Sequence, residues 1–282
     1  MKTRREFLTI AAGSLFLAAD ASLLTAADAK ASWKVGICDW DLRASGRMSS
    51  FAVAKELGFD GVQVSYNPSG ADSLADKANR PKFLEAAKES GVGIASLAMG
   101  LLNGQPLATV PEAEGWVEDC LDAMDEMNVE RVLLAFFSNG DMNEKKDHQP
   151  LVIEKLKRLA PIAEKKNKIL AVESYLSAED NLKLLEAIGS DAVKVYYDVQ
   201  NSTNKGYDIY REIELLGNLI CEIHFKQDHC RLGDGDIDFP RVCELLEKIG
   251  YDGWLVVESA APGDWKESHA ANAKFVKGLI GR

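Results

Sequence analysis

From Lys34 onward, short apolar runs alternate with longer segments whose apolar positions recur at helical spacing. The runs at 35–40, 61–66, 93–99, 131–137, 168–174, 193–198, 220–226 and 254–259 predict strands. The segments at 49–58, 81–90, 112–127, 150–166, 178–189, 207–216, 239–250 and 266–280 predict helices, as in the stripe Val242, Leu245, Leu246 and Ile249. Leu57-Gly58-Phe59-Asp60-Gly61 and Ile249-Gly250-Tyr251-Asp252-Gly253 repeat one signal, a glycine that closes a helix in the left-handed conformation before the next strand opens. Eight strand–helix units without a break in composition predict an α/β chain closed into a single (β/α)8 TIM barrel over residues 32–282, rather than a doubly wound sheet.

The first 31 residues break the pattern. Arg4-Arg5-Glu6-Phe7-Leu8 precedes the apolar run TIAAGSLFLAA and a stretch of small residues with Ala29 and Ala31 at plausible cleavage positions. A basic start, a short apolar run and a small-residue exit define a secretory signal peptide, and the paired arginines resemble a twin-arginine export signal. The run falls short of the ~20 residues a membrane span needs. The expectation is export, to the periplasm, of a protein that leaves the membrane once the signal is removed.

Composition narrows the function. With 282 residues and a net charge of −11, the chain lacks the clustered cations that a nucleic-acid surface requires. Its five cysteines include no Cys-x-x-Cys pair, which argues against a thiolate zinc site, and their disulfide status stays open. Cys38, Cys120, Cys221 and Cys243 read as small buried hydrophobes.

The chemistry lies at the ends of the last four strands. Glu173, Asp198, His224 and Glu258 each terminate an apolar run, at separations of 25, 26 and 34 residues, about one strand–helix unit each. In a TIM barrel the strand C-termini build the functional face, so neighbouring strands five to eight can aim these four groups at one point. Three carboxylates and an imidazole form a ligand set for a hard or borderline dication. Lys226, two residues past His224, faces the same way nearer the mouth. Asp39 and Trp40 follow strand one, and His229 and Arg231 lie in the loop after strand seven, as candidate substrate contacts. Phe136 and Phe137 read as core, and Trp116, Trp254 and Trp265 as packing.

These residues carry a resemblance. Ala171-Val172-Glu173-Ser174, Tyr197-Asp198-Val199-Gln200-Asn201, Ile223-His224-Phe225-Lys226, Val256-Val257-Glu258-Ser259 and the loop Gly233-Asp234-Gly235-Asp236-Ile237-Asp238-Phe239 resemble the xylose isomerase-like barrels. That sugar phosphate isomerase/epimerase group includes tagatose and psicose 3-epimerases, hydroxypyruvate isomerase and inosose dehydratase. The resemblance covers about residues 34–280 and implies one divalent ion (Mn, Mg, Co or Zn) held by Glu173, Asp198, His224 and Glu258, with Glu173 and Glu258 exchanging protons with substrate. Relatives carry His where this chain has Asn201, and Glu in the region of Gln63 and Ser65. Asn201 is therefore a further candidate substrate contact. The expected activity is isomerisation or epimerisation of a sugar by proton transfer through a metal-stabilised enediolate. Two alternatives stand beside it: a metal-dependent lyase or dehydratase acting on keto-sugars or 3-keto-glycosides, and a sugar-binding protein without turnover. Barrels of this group often pair, so a homodimer is an expectation for which the sequence offers no interface stripe.

Overall fold

The computed structural model describes residues 33–282, and the leader expected at 1–31 lies outside them. Eight parallel strands close into one barrel in sequence order: β1 Val35–Cys38, β2 Gly61–Ser65, β3 Gly93–Met99, β4 Arg131–Phe136, β5 Ile169–Ser174, β6 Val193–Asp198, β7 Ile220–Phe225 and β8 Leu255–Val257. The pairing of Val35 with Leu255 closes the ring. Around it run α1 Ser49–Leu57, α2 Arg80–Ser90, α3 Ala113–Met127, α4 His148–Lys166, α5 Ala178–Ile188, α6 Val199–Asn204, α7 Ile209–Leu216, α8 Phe239–Lys248 and α9 Trp265–Leu279. Among the described residues no helix is long and apolar enough to cross a membrane. All five cysteines are unpaired, and all but Cys230 are buried.

Alternation along each strand divides the core in two. On β4, Val132, Leu134 and Phe136 join the large apolar layer between sheet and helices, whereas Leu133 and Ala135 turn into the barrel with Ala98, Ala171 and Tyr196. On α8, Phe239, Val242, Cys243 and Leu246 are buried, and each large apolar side chain so buried contributes about 1.5–3 kcal/mol. Gly58 ends α1 at φ 86°, as its position in the repeated signal predicts. Gly61 is required for space instead, since a Cβ there would lie 2.5 Å from the Trp254 ring, which packs against the start of β2.

The structure departs from the periodicity in two places that matter for the site. β8 stops at Val257, which leaves Glu258 on the loop just beyond the sheet. And the chain does not run straight out of β6: the Asp198 carboxylate accepts from the backbone N–H groups of Gln200 and Asn201 at 2.9 and 2.8 Å and starts α6. Such a side-chain cap satisfies orphan donors of the first turn. Its six residues, VQNSTN, carry no apolar stripe that periodicity could detect.

One acid lies deeper in the barrel than the four expected ligands. Glu222, two residues before His224 on β7, is fully buried, and neither of its oxygens has a hydrogen-bond partner. Burial pushes its carboxyl up to about 8, against a smaller opposing pull from Arg131. The folded state therefore keeps a proton that the unfolded chain releases near pH ~4.3. Stability contributed by that proton is complete at low pH and is lost as pH climbs towards 8. Replacing Glu222 with Gln, the neutral isostere, should leave Tm nearly unchanged near pH ~4 and raise it progressively up to about pH 8, where the gain levels off; thermal melts across that range check the trend.

Candidate metal centre

The four expected ligands meet at the C-terminal mouth of the barrel. Glu173 sits near the end of β5, Asp198 ends β6, His224 lies on β7 opposite Asp198, and Glu258 follows β8. One ligand atom from each lies within 4.8 Å of every other. His224 Nδ1 is 3.0 Å from Glu173 Oε1, 3.4 Å from Glu258 Oε2 and 3.7 Å from Asp198 Oδ2. Asp198 spends one oxygen on the α6 cap, while its Oδ2 is buried without a hydrogen-bond partner and faces this cluster.

A second layer fixes the imidazole. His224 Nε2 is 3.0 Å from the side-chain oxygen of Gln63 and 3.4 Å from Cys38 Sγ. The Gln63 amide nitrogen donates to Ser96 Oγ at 2.9 Å and to the Tyr196 hydroxyl at 3.0 Å, so its carbonyl must face the histidine. That carbonyl only accepts. Nε2 therefore carries a proton, which leaves Nδ1, the nitrogen facing the three carboxylates, as the one that could ligate an ion after losing its own proton. Such outer hydrogen bonds set the tautomer and orientation of a metal-ligating histidine.

Charge decides how the cluster is held without an ion. Burial raises the Glu173 carboxyl. Burial disfavours a charged His224, while the Glu173 and Glu258 carboxylates and a hydrogen bond to Asp198 favour it and pull its pKa up. Burial likewise opposes the Lys226 charge, but Asp198, Glu258 and Glu173 keep it an ammonium. Its Nζ lies 2.9 Å from Glu258 Oε2 and 3.5 Å from Asp198 Oδ2. The orphaned Asp198 oxygen and the set of three carboxylates and one imidazole fit a divalent ion of the oxygen- and nitrogen-preferring kind.

Above the cluster opens a cavity of about 400 Å³, lined among others by Trp40, Phe137, Glu173, Tyr175, Lys226 and Glu258. Lys226 also donates to Asn201 Oδ1 at 3.3 Å, and Trp40 Nε1 donates to Glu258 Oε1 at 3.1 Å, so three of the expected substrate contacts are in place. The other three lie elsewhere. Asp39 is buried behind the wall and accepts from Ser65 N, Ser65 Oγ and Gly46 N. Arg231 is drawn to Ser268 Oγ on α9, and His229 is exposed on the loop, neither lining the cavity. The Gly-Asp-Gly-Asp-Ile-Asp-Phe loop itself is structural: Asp238 caps α8, and Gly235 N donates to Gln227. Phe137, expected in the core, instead turns to the mouth against Tyr175, with ring centroids 4.6 Å apart. Asp41, which no sequence pattern singles out, lies beside Glu258 and is raised to about 8 by burial and that neighbour's charge. A cavity of similar size, about 420 Å³, opens around Arg131 and Trp254 and contains none of the four ligands.

Two outcomes follow from this geometry. Because the surrounding carboxylates favour a charged His224 and burial raises Glu173 to about 7, binding Mn near pH 7 should release at least one proton, and affinity should rise with pH. Calorimetry in buffers of different ionisation enthalpy reads the proton count. Gln63→Leu removes the acceptor that sets the tautomer and should weaken Mn binding about 10- to 100-fold, with Tm as the control for folding.

The comparisons with known proteins agree with this architecture. A protein of Escherichia coli named "Putative L-ribulose-5-phosphate 3-epimerase" is 25% identical over 231 residues, 73% of this chain and 81% of the relative. The chain spans less than half the length of two other relatives: an inosose dehydratase of Geobacillus thermodenitrificans (26% identical, 39% of this chain, 46% of the relative) and an uncharacterized protein of Methanocaldococcus jannaschii (25% identical, 30% and 31%). Among solved structures, a D-psicose 3-epimerase in the presence of D-fructose superposes with TM-score 0.75 at 14% identity, over 88% of this chain and 100% of that one. The 3-keto-D-glucoside 4-epimerase of Escherichia coli superposes with TM-score 0.68 at 15% identity, over 89% of this chain and 100% of that one. The family model described as xylose isomerase-like TIM barrel matches residues 51–279, well over half of the sequence, and the chain therefore belongs to that family.

Proposed function

We propose that the protein is an exported, metal-dependent sugar isomerase or epimerase acting on an unphosphorylated sugar. The observation that carries this reading is the placement of Glu173 and Glu258. They stand on β5 and after β8, both contact His224, and both line the same cavity. A sugar seated between them has one carboxylate towards each face. One takes the proton from the carbon beside the carbonyl, and the other returns a proton to the opposite face or to the neighbouring carbon. Positioned proton transfer of this kind contributes about 10²–10⁴-fold in rate.

A divalent ion held by Glu173, Asp198, His224 and Glu258 would polarise the carbonyl and favour the negative charge that develops on its oxygen. The chain's own residues do the rest. Lys226, kept charged by its carboxylate neighbours, cannot serve as a base, and it donates hydrogen bonds to a substrate oxygen. Asn201 steadies Lys226. Trp40, Phe137 and Tyr175 supply aromatic walls for the C–H faces of a sugar and keep water from the reacting carbon. Among the described residues, Lys226 is the sole cation in this cavity's lining, and its ion pairs with Glu258 and Asp198 favour a neutral sugar over a phosphorylated one there. The leader with Arg4-Arg5 supports a periplasmic destination, where unphosphorylated sugars are met.

The test is proton exchange. With Mn and a panel of ketoses in D2O, the enzyme should place deuterium beside the carbonyl and yield an isomer or epimer, and Glu258→Gln should slow this at least about 100-fold. Exchange by Glu258→Gln at the wild-type rate removes its catalytic role. Binding of sugar without exchange by the wild type indicates a binding protein, and release of an aglycone or water from a keto-glycoside indicates the lyase outcome.

A further inference from the structure

The cavity over the metal centre has a neighbour. A second cavity of about 220 Å³ lies between the loop after β1 and the loop after β2, and its lining shares Ser45, Ser65 and Asn67 with the first. We propose that it is a second sugar subsite, so that the substrate is a glycosylated sugar with one ring at the metal centre and the other against Arg47, Asn67 and Asp72. This rests on the reading of the first cavity as the reaction site.

The boundary between the cavities is built rather than incidental. Ser45 Oγ donates to Ser65 Oγ at 2.9 Å, and Ser65 Oγ donates to Asp39 Oδ1 at 2.6 Å. The other oxygen of Asp39 accepts from Gly46 N and Ser65 N, each at 2.7 Å. One buried carboxylate thus pins both loops together and holds the space between them open. Asp39, expected as a substrate contact, is a positioning residue here.

The polar groups facing the second cavity are free to bind. Among the described residues, the side chains of Arg47, Asn67 and Asp72 form no hydrogen bond or ion pair with the protein, although all three line the cavity. Together they offer a guanidinium, an amide that both donates and accepts, and a carboxylate that only accepts. Each hydroxyl of a sugar ring is itself donor and acceptor, so a mixed set of this kind suits a polyhydroxyl ring. Arg47 and Asp72 carry opposite charges, which matches a neutral ligand better than an anionic one. The main cavity has aromatic walls and the side cavity has none in its lining, so the two are matched to different parts of one molecule.

The experiment compares pairs. Dissociation constants for Mn-loaded protein are measured by calorimetry with free ketoses and with the same ketoses carrying one glucosyl unit. For at least one pair the glycosylated member should bind about tenfold tighter or more, which is ~1.4 kcal/mol. In Arg47→Ala/Asp72→Ala that ratio should fall towards one. Ser69→Trp, which fills the side cavity from its exposed rim, should do the same without removing either charge. Equal affinities within every pair, no binding by any pair, or a preference that survives both variants overturns the subsite. Deuterium exchange is scored separately: its absence, with the glycosyl preference intact and lost in the variants, counts against the proposed reaction and not against the subsite.

Discussion

Three carboxylates inside the mouth of a barrel are an electrostatic cost that the surrounding structure must offset. Two like charges 4 Å apart repel by ~4 kcal/mol even at an effective dielectric of ~20. Glu173, Asp198 and Glu258 are closer to one another than free acids would choose, and two of them are almost fully buried. The barrel enforces this, because β5 to β8 are neighbours in register and each supplies one strand end. Cations must follow. Lys226 provides one fixed positive charge, and the remainder could come from a proton on His224 or from a dication. With the dication, a neutral His224 and Lys226, three negative charges meet three positive ones. The site thereby suits a neutral substrate.

The same constraint explains the layer beneath. An imidazole surrounded by acids has two nitrogens to offer, and only one can face the ion. Gln63, oriented by Ser96 and Tyr196, leaves no choice, and the small side chains of Ala98, Ala135 and Ala171 make room for the network inside the barrel. On the opposite side Trp40 and Lys226 each hold one oxygen of Glu258, which compensates for its place on a loop beyond β8.

Much of this is readable from the chain. Strand and helix periodicities identify the elements because almost every strand is followed by an amphipathic helix and glycines such as Gly58 mark the joins. The convergence of Glu173, Asp198, His224 and Glu258 is legible because a polar residue that ends an apolar run must sit at the barrel rim. What is not legible depends on side-chain direction or on polar structure. Gln63 reads only as a departure from relatives, since nothing in its local sequence reveals a partner 161 residues away. α6 escapes periodicity because a cap, not an apolar stripe, starts it. Arg231 and His229 miss the cavity because a loop's path is set by what it packs against, here α9 and Gln227. Phe137 differs from Phe136 by one position, and the pleat alone sends one inward to the apolar layer and the other to the mouth.

Asp198 has two duties on separate oxygens, one structural and one facing the ligand cluster. Asparagine keeps the carbonyl oxygen that caps a helix and ranks with aspartate at such positions, yet it lacks the negative charge of a carboxylate ligand. One conservative replacement would then spare the architecture while disabling the chemistry. The fold at this point depends on an oxygen and not on a charge, so the scaffold and the candidate centre are separable at a single side chain.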